Sequence, residues 1–595
     1  MRMIPFDAVE LTSGYLFEKQ ELNRKITIDT VYDRFKETGR IDAFRCDYKP
    51  EDDIKPHYFW DSDVAKWIEG AAYILKKHPN EELARRVDEI VELIEKNQGE
   101  DGYFNIYFTV VAPEERWQFR RKHELYCAGH LIEAAVALDA ATGKRKLLDC
   151  MEKYADYIYR VFVVEKSAGF CTPGHEEIEL ALMRLYRHTG KHKYLDLAAH
   201  FINARGSVAE PEQGEPYTQN HLPAREQREA VGHAVRALYL YTGMASLARE
   251  TGEQALIDAC RTLWEDVTER QMYVTGALGA THRGEAFTGA FDLTNDKAYA
   301  ETCAAIALML FAREMAQLES NAKYADTIER AFYNGVLAGL SLDGASFFYE
   351  NPLEIDLTRR RLNPLSRFSK TQRVACFTCS CCPPNLNRLL ASLGGYVYGQ
   401  EGDTLYVNQF VGSTLCDGGV TCTQKTDYPR NGEVKLCVEG AKRVAIRIPA
   451  WCTSFTLNAP YEMQNGYAVV ENTGCEISVC FDMTPCAVFG DIRITADVDR
   501  LCVMRGPLVY CAEGVDNGNG LHRFTVPANF TAREISTPEL PFPMLELDCE
   551  KRIPFEGQLY ARHPPKSERA ALRLIPYHAF ANRGETDMLV WLHTK

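Results

Sequence analysis

Glu124-Leu-Tyr-Cys-Ala-Gly-His-Leu-Ile-Glu-Ala-Ala-Val-Ala-Leu-Asp-Ala-Ala-Thr142 is closed by Gly143 and followed by a second periodic run, Leu147–Phe162. Its apolar residues recur at i, i+3, i+4 and i+7, the spacing of a buried helix face. A glycine just past the last periodic residue is the type that ends a helix in the left-handed conformation. Gly190 and Gly252 punctuate two further helix pairs in the same way. Outward from this unit the helical period runs through Asp63–Lys77, Glu81–Lys96, Glu176–His188, Lys193–Ala204, Glu226–Glu250, Glu253–Glu269, Thr302–Gln317, Tyr324–Leu340 and Pro383–Leu393, with a weaker run near Val31–Phe35. Taken as hairpins, about twelve helices close a toroid, the (α/α)6 barrel, with inner helices around a central funnel.

Near residue 400 the period changes. Thr404–Val411, Val444–Ile448, Glu476–Phe481 and Leu501–Met504 are short alternating or β-rich stretches between Gly, Asn, Asp and Pro clusters, the pattern of antiparallel sandwiches. Pro507 belongs at a strand start or a sheet edge, because it has no N–H for a ladder. The expected fold is therefore multidomain α+β: a helical barrel over 1–400, a β-sandwich over 401–500 and a second sandwich over 501–595.

Charge narrows the partners. A chain of 595 residues with net charge -15 offers no clustered cationic surface for nucleic acid or an anionic membrane. It also contains no apolar run long enough for a membrane span. The opening MRMIPFDAVELTSGY lacks an apolar leader core, so a cytoplasmic location is expected, with the 20 cysteines mostly as free thiols. A small neutral glycan suits this balance; a homodimer is an expectation that no motif tests.

Cys376-Phe-Thr-Cys379-Ser-Cys381-Cys382-Pro-Pro-Asn385 packs four cysteines into seven residues. Small core hydrophobes, a structural metal site and a site coupling metal to chemistry all compete for this run. Pro383 and Pro384 fit the first turn of the following helix, which sets Cys381 and Cys382 at its mouth. There a helix dipole, and more strongly a cation, favours the thiolate, which is both the ligand and the nucleophile. Tetrahedral zinc needs partners from elsewhere. Glu301-Thr-Cys303 is the second segment; its i, i+2 pair converges only if it lies ahead of, or in the first turn of, the helix beginning at Thr302. Glu285, flanked by Gly284 in a segment without period, is a loop carboxylate of the kind that protonates a leaving oxygen. His123, His175 and His233 stand near helix starts, where they are either structural or donors and acceptors for sugar hydroxyls. Trp60, Tyr103, Phe104, Tyr217 and Tyr349 are aromatics that either stack on sugar or fill core.

His123–His130, Gly284–Phe287, Glu301–Cys303 and Cys379–Asn385 resemble glycoside hydrolase family 127, the β-L-arabinofuranosidases. Trp60–Val64, Phe348–Pro352, Arg447–Trp451 and Arg505–Tyr510 extend the resemblance, in order, over nearly the whole chain. The resemblance implies a retaining exo-hydrolase with Cys381 as nucleophile and Glu285 as acid and then base. It also implies Zn²⁺ held by Glu301, Cys303, Cys381 and Cys382, and substrate contacts from His123, His175, His233, Glu329 and Tyr349. Two departures from the family pattern stand out: Cys376 replaces a commonly larger residue, and the C-terminal region looks reduced. Both bear on sugar preference. The alternatives are a glycosidase for another pentose-like sugar, a hydrolase using zinc-bound water, and a sugar-binding protein with structural zinc.

Overall fold

The computed structural model describes residues 1–207 and 214–594; 208–213 and Lys595, which fall inside the expected units 1–400 and 501–595, lie outside the described residues. Six helices, Trp60–Lys77, Glu124–Thr142, Ile178–Thr189, Ala234–Thr251, Thr302–Leu318 and Cys382–Ala391, each pack on the next, and the last closes on the first. Their sequences explain why they are inside. Every residue from Glu124 to Leu138 and from Ala234 to Ala248 is buried, so neither helix has a solvent face. Amphipathic helices Glu81–Asn97, Lys146–Tyr159, His192–Ala204, Gln254–Arg270 and Ala322–Arg330 cover the ring from outside, each packed on the inner helix next to it in sequence. The weak run near Val31–Phe35 is part of a longer helical stretch, Tyr15–Leu22, Asn23–Thr27 and Ile28–Glu37, which packs across the ring's closure.

Two features of the chain set the ring's geometry. Gly143, Gly190 and Gly252 adopt φ of 72°, 70° and 67°, and each donates its N–H to the carbonyl four residues back, at 2.7–2.8 Å, ending one helix so that the next can reverse. Gly70 lets the first and last inner helices touch: a Cβ there would stand 3.1 Å from the backbone N of Arg388.

The helix expected over Glu226–Glu250 begins only at Ala234. Gly232, at φ 71°, packs its Cα against Pro216 and breaks the period ahead of it. The run expected over Tyr324–Leu340 starts at Ala322, capped by Asn321, widens after Arg330 into the π turn Ala331–Val336 and tightens into the 3₁₀ turn Leu337–Gly339.

Beyond the ring lie two six-stranded sheets and one of ten strands. The first runs in the order Arg2–Met3, Tyr398–Glu401, Thr404–Val407, Arg443–Arg447, Tyr467–Glu471, Glu462–Gln464; its Thr404–Val407 and Arg443–Arg447 strands are parallel and the rest antiparallel. The second ends on Val9–Ser13, paired with Gly412–Asp417. Residues 1–13 thus complete both sheets from the other end of the chain, although they fall within the 1–400 expected for the helical unit. Pro507 sits in the turn between Arg500–Arg505 and Leu508–Glu513, where no ladder donor is needed. No helix among the described residues is long and apolar enough to cross a membrane.

Candidate active site

The functional side chains gather where inner helices begin. His123, His233, Glu301 and Cys381 are the N-cap residues of four of them. The contacts run around one mouth. The His123 and His175 rings lie 5.7 Å apart, those of His175 and His233 5.5 Å, and His233 Nε2 is 3.1 Å from Glu285 Oε2. Helix starts carry unsatisfied N–H groups and the positive end of the dipole, so this end of the ring favours thiolates and carboxylates.

Four donors form a compact group. Cys303 Sγ lies 3.3 Å from Cys382 Sγ and 3.7 Å from Cys381 Sγ, and those two are 3.8 Å apart. Glu301 Oε1 is 3.9 Å from both Cys381 and Cys382 sulfurs. Thiolates about 2.3 Å from a tetrahedral zinc would stand about 3.8 Å from one another. The i, i+2 pair converges because Glu301 is extended at the N-cap (φ -65°, ψ 136°) and Cys303 lies in the first turn. The donor set is also electrostatically incomplete. Burial, together with the charges of Glu285 and Cys381, pushes Glu301 well above the ordinary carboxylate value. Burial and the hydrogen bond to Cys303 push Cys382 up likewise. Burial opposes ionisation of Cys303 too, but its hydrogen bonds to Cys381 and Cys382 bring it down to about 6. Glu301 Oε2 is buried without a hydrogen-bond partner. Four acidic donors that cannot all ionise together, with one carboxylate oxygen unsatisfied, fit a soft divalent cation such as zinc.

Cys376 and Cys379 stand outside this group. Cys376 turns its sulfur to Ser380 Oγ, 3.3 Å away, and Cys379 is exposed, 4.0 Å from the Tyr349 hydroxyl.

Glu285 sits at φ 54° in a tight turn beside the cluster. The Tyr349 hydroxyl donates to its Oε2 at 3.1 Å. His233 Nδ1 accepts the N–H groups of Val235 and Arg236, which leaves the proton on Nε2 to donate to the same Oε2. Burial alone would raise the Glu285 pKa, but the His233 and Tyr349 hydrogen bonds hold it down at about 2. Cys381 Sγ is 3.5 Å from the same Tyr349 hydroxyl, so one phenol spans carboxylate and sulfur. A cavity of about 430 Å³ opens here, lined by Glu285, Tyr299, Tyr349, Arg367, Phe377 and Cys379 among others.

His123 Nδ1 and His175 Nδ1 donate to the carbonyls of Arg121 and Glu176 at 2.7 and 2.9 Å, leaving each Nε2 as an acceptor. Burial first, then the nearby Arg236, depresses both pKa values, so the rings stay neutral and suited to hydroxyl groups. Tyr217 also stands by the mouth, 6.1 Å from the His233 ring, whereas Tyr103 and Phe104 are core. Trp60 opens its inner helix with Arg40 over its ring.

Glu329 is the correction. It is 2% exposed, and its carboxylate takes Arg447 at 2.6 Å, the Tyr428 hydroxyl at 2.6 Å and Trp451 Nε1 at 3.0 Å. Both oxygens are committed to the seam between ring and first sandwich, so Glu329 does not face the mouth. Two residues at the mouth went unread in the sequence. Arg236 lies one turn after His233, and Lys66 is a buried cation inside the first inner helix. For Lys66, burial would lower the pKa, but the Cys381, Asp63 and Cys303 charges outweigh it and raise it.

A carboxylate on a cavity, with clustered thiols and neutral histidines beside it at the mouth of a helical ring, is an arrangement suited to a glycoside hydrolase. The chain belongs to glycoside hydrolase family 127: residues 8–395 match the family model described as beta-L-arabinofuranosidase, GH127 catalytic domain, 404–482 its middle domain and 485–593 its C-terminal domain. It is 37% identical over 600 residues to the non-reducing end beta-L-arabinofuranosidase of Bifidobacterium longum subsp. longum, covering 91% of this chain and 90% of that one. Among solved structures, a GH127 beta-L-arabinofuranosidase from Geobacillus stearothermophilus superposes with TM-score 0.92 at 40% identity, covering 99% of this chain and 100% of that one. A second GH127 beta-arabinofuranosidase gives 0.90 at 34% identity, covering 100% and 98%. Against these two structures the C-terminal region is not reduced.

Proposed function

We propose that the chain is a retaining exo-β-L-arabinofuranosidase, removing β-linked L-arabinofuranose from the non-reducing end of oligosaccharides or glycoconjugates at the mouth of an (α/α)6 barrel. The observation that carries this reading is the Tyr349 hydroxyl, hydrogen-bonded to Glu285 and within 3.5 Å of Cys381 Sγ, which sets a candidate acid/base and a candidate nucleophile on either side of one phenol.

Glu301, Cys303, Cys381 and Cys382 would hold zinc, which supplies deprotonation and positioning of the thiols. In the first half-reaction the Cys381 sulfur forms a bond to the anomeric carbon. The glycosidic C–O bond breaks, and Glu285 gives its proton to the leaving oxygen. In the second, Glu285 as carboxylate takes a proton from water, the new C–O bond forms, and the C–S bond breaks to regenerate the sulfur with configuration retained. The donors on Glu285 already favour the carboxylate used in the second half. The first half requires the Glu285–His233 pair to carry one more proton, so the acid and base limbs of the rate profile report that pair rather than one residue. His123, His175 and His233 would accept or donate to ring hydroxyls.

Cys376 turns its sulfur to Ser380, and its neighbours Phe377 and Thr378 line the cavity, so its small size bears on the pocket through them. Among the described residues no cysteine is in a disulfide, which suits the reducing cytoplasm. A panel of chromogenic pentofuranosides and pyranosides, assayed with and without a zinc chelator, tests the sugar and the metal together. Release from β-L-arabinofuranoside that the chelator abolishes is expected. Preferential release of another pentose would replace the substrate, and unchanged activity in chelator would remove zinc. A trapped glycosyl-Cys381 adduct in the mass spectrum separates thiol attack from attack by water.

A further inference from the structure

Lys66 is 1% exposed. Its Nζ donates to the Tyr126 hydroxyl at 2.9 Å and lies 5.2 Å from that ring, yet among the described residues no carboxylate oxygen comes within 4.0 Å of it. Asp63, one turn earlier, gives Oδ2 to Arg40, and its Oδ1 has no hydrogen-bond partner, so it does not bond Lys66 either. A buried ammonium without a carboxylate is costly unless a counter-charge is near.

The helix alignment shows where that counter-charge is. Trp60–Lys77 and Cys382–Ala391 run side by side in the same direction. Gly70 abuts Asn387 and Arg388, while Asp63 is tied through Arg40 to the carbonyls of Phe377 and Thr378. Lys66 lies between these two levels, and helical side chains lean toward their own N-terminus. Its ammonium is therefore directed at the start of the neighbouring helix, where Cys381 and Cys382 sit. Four anionic donors around a divalent ion leave two negative charges in a buried site.

We infer that Lys66 is the counter-charge of the sulfur cluster, a positioning residue whose fixed positive charge, anchored by Tyr126, lets three thiolates and a carboxylate share one buried cation site. The inference rests on the zinc–thiolate reading above.

The test compares wild type with Lys66→Met and Lys66→Arg, measuring zinc affinity by competition with a chromophoric chelator and the thermal midpoint with and without zinc. Loss of the charge should weaken zinc binding by about 10–100-fold, the usual cost of removing a partner that supports metal ligands. Lys66→Arg should recover most of the affinity. The rise in thermal midpoint on adding zinc should be smaller in Lys66→Met than in wild type, because the lost charge acts on the loaded site. Unchanged affinity in Lys66→Met overturns the inference. So does equal loss of zinc-free stability in both variants, which would make Lys66 a packing residue. A wild-type protein that binds no zinc overturns the site reading itself, and the inference with it.

Discussion

The ring buries charge at two depths. Deep inside, Arg388 Nη1 donates to Glu69 at 2.9 Å and to Glu133 at 2.6 Å, and its Nη2 donates to the Tyr239 hydroxyl at 3.0 Å. Arg184 bridges the same two glutamates from the other side, and Tyr73 donates to Glu69 at 2.6 Å. At the mouth, three sulfurs and Glu301 crowd together beside the buried Lys66, and Glu301 Oε2 has no hydrogen-bond partner. Both regions hold buried ionisable groups, so burial of charge does not by itself mark a site. Glu69 and Glu133 are matched by two arginines, although Glu177 and His130 beside them keep side-chain atoms without hydrogen-bond partners. What sets the mouth apart is three sulfurs converging with a carboxylate and no arginine bonded among them.

The sharpest break between the two regions is Cys381→Ala. It should lower kcat by at least about 10⁴-fold, as expected for loss of a covalent nucleophile, while the urea midpoint measured without zinc hardly moves. A fully active variant would falsify the nucleophile assignment. Arg388→Met should do the reverse. With Glu69 and Glu133 left to Arg184 alone, the fold should lose about 3–5 kcal/mol. That loss is read from the urea midpoint, with chemistry at the mouth retained in whatever remains folded. Full activity lost at unchanged stability would show that the two depths are one functional unit. Glu329→Gln should be milder. Arg447 keeps Asp326 at 2.7 Å, so a loss of about 1–3 kcal/mol is expected. The kcat/KM of the folded enzyme should stay within about tenfold of wild type, since only groups touching the transition state change it strongly. A larger fall at unchanged stability would return Glu329 to the substrate.

The helical half was legible because its period is strong and Gly143, Gly190 and Gly252 mark its reversals. The cysteine run was legible as chemistry because Pro383 and Pro384 pin it to a helix start. Arg2–Met3 and Val9–Ser13 were not, since their pairing with strands near residues 400 and 414 is set by tertiary packing and leaves no local pattern. Glu329 misled because it was carried over from the resemblance alone, and a position in a family pattern does not show which partner holds the side chain. Arg447, which captures it, is 118 residues away. Lys66 was invisible for the opposite reason. A lysine on an apolar helix reads as a snorkelling surface residue until the helix on its other side is known.

The smallest effect expected is the most specific to the deep network. Glu177 lies beside Glu133, with its Oε1 3.0 Å from His130 Nδ1. Burial first, then the charge of Glu133, raises its pKa well above the ordinary 4.5. In the unfolded chain Glu177 would ionise near that ordinary value, so at pH values between it and the raised folded value folding takes up a proton. By linkage, this group's contribution to stability is fully present below about pH 4.5 and is lost as pH rises toward its folded pKa. Glutamine has the shape of the protonated acid and needs no proton. Glu177→Gln should therefore raise the urea midpoint at pH 8 and leave it nearly unchanged at pH 4, flattening the alkaline side of the stability curve. Nothing at the mouth shares that protonation, so the kcat profile should keep its shape. If the midpoint instead falls equally at both pH values, Glu177 is ionised and paired in the folded state, and the deep network carries one more negative charge than its arginines balance.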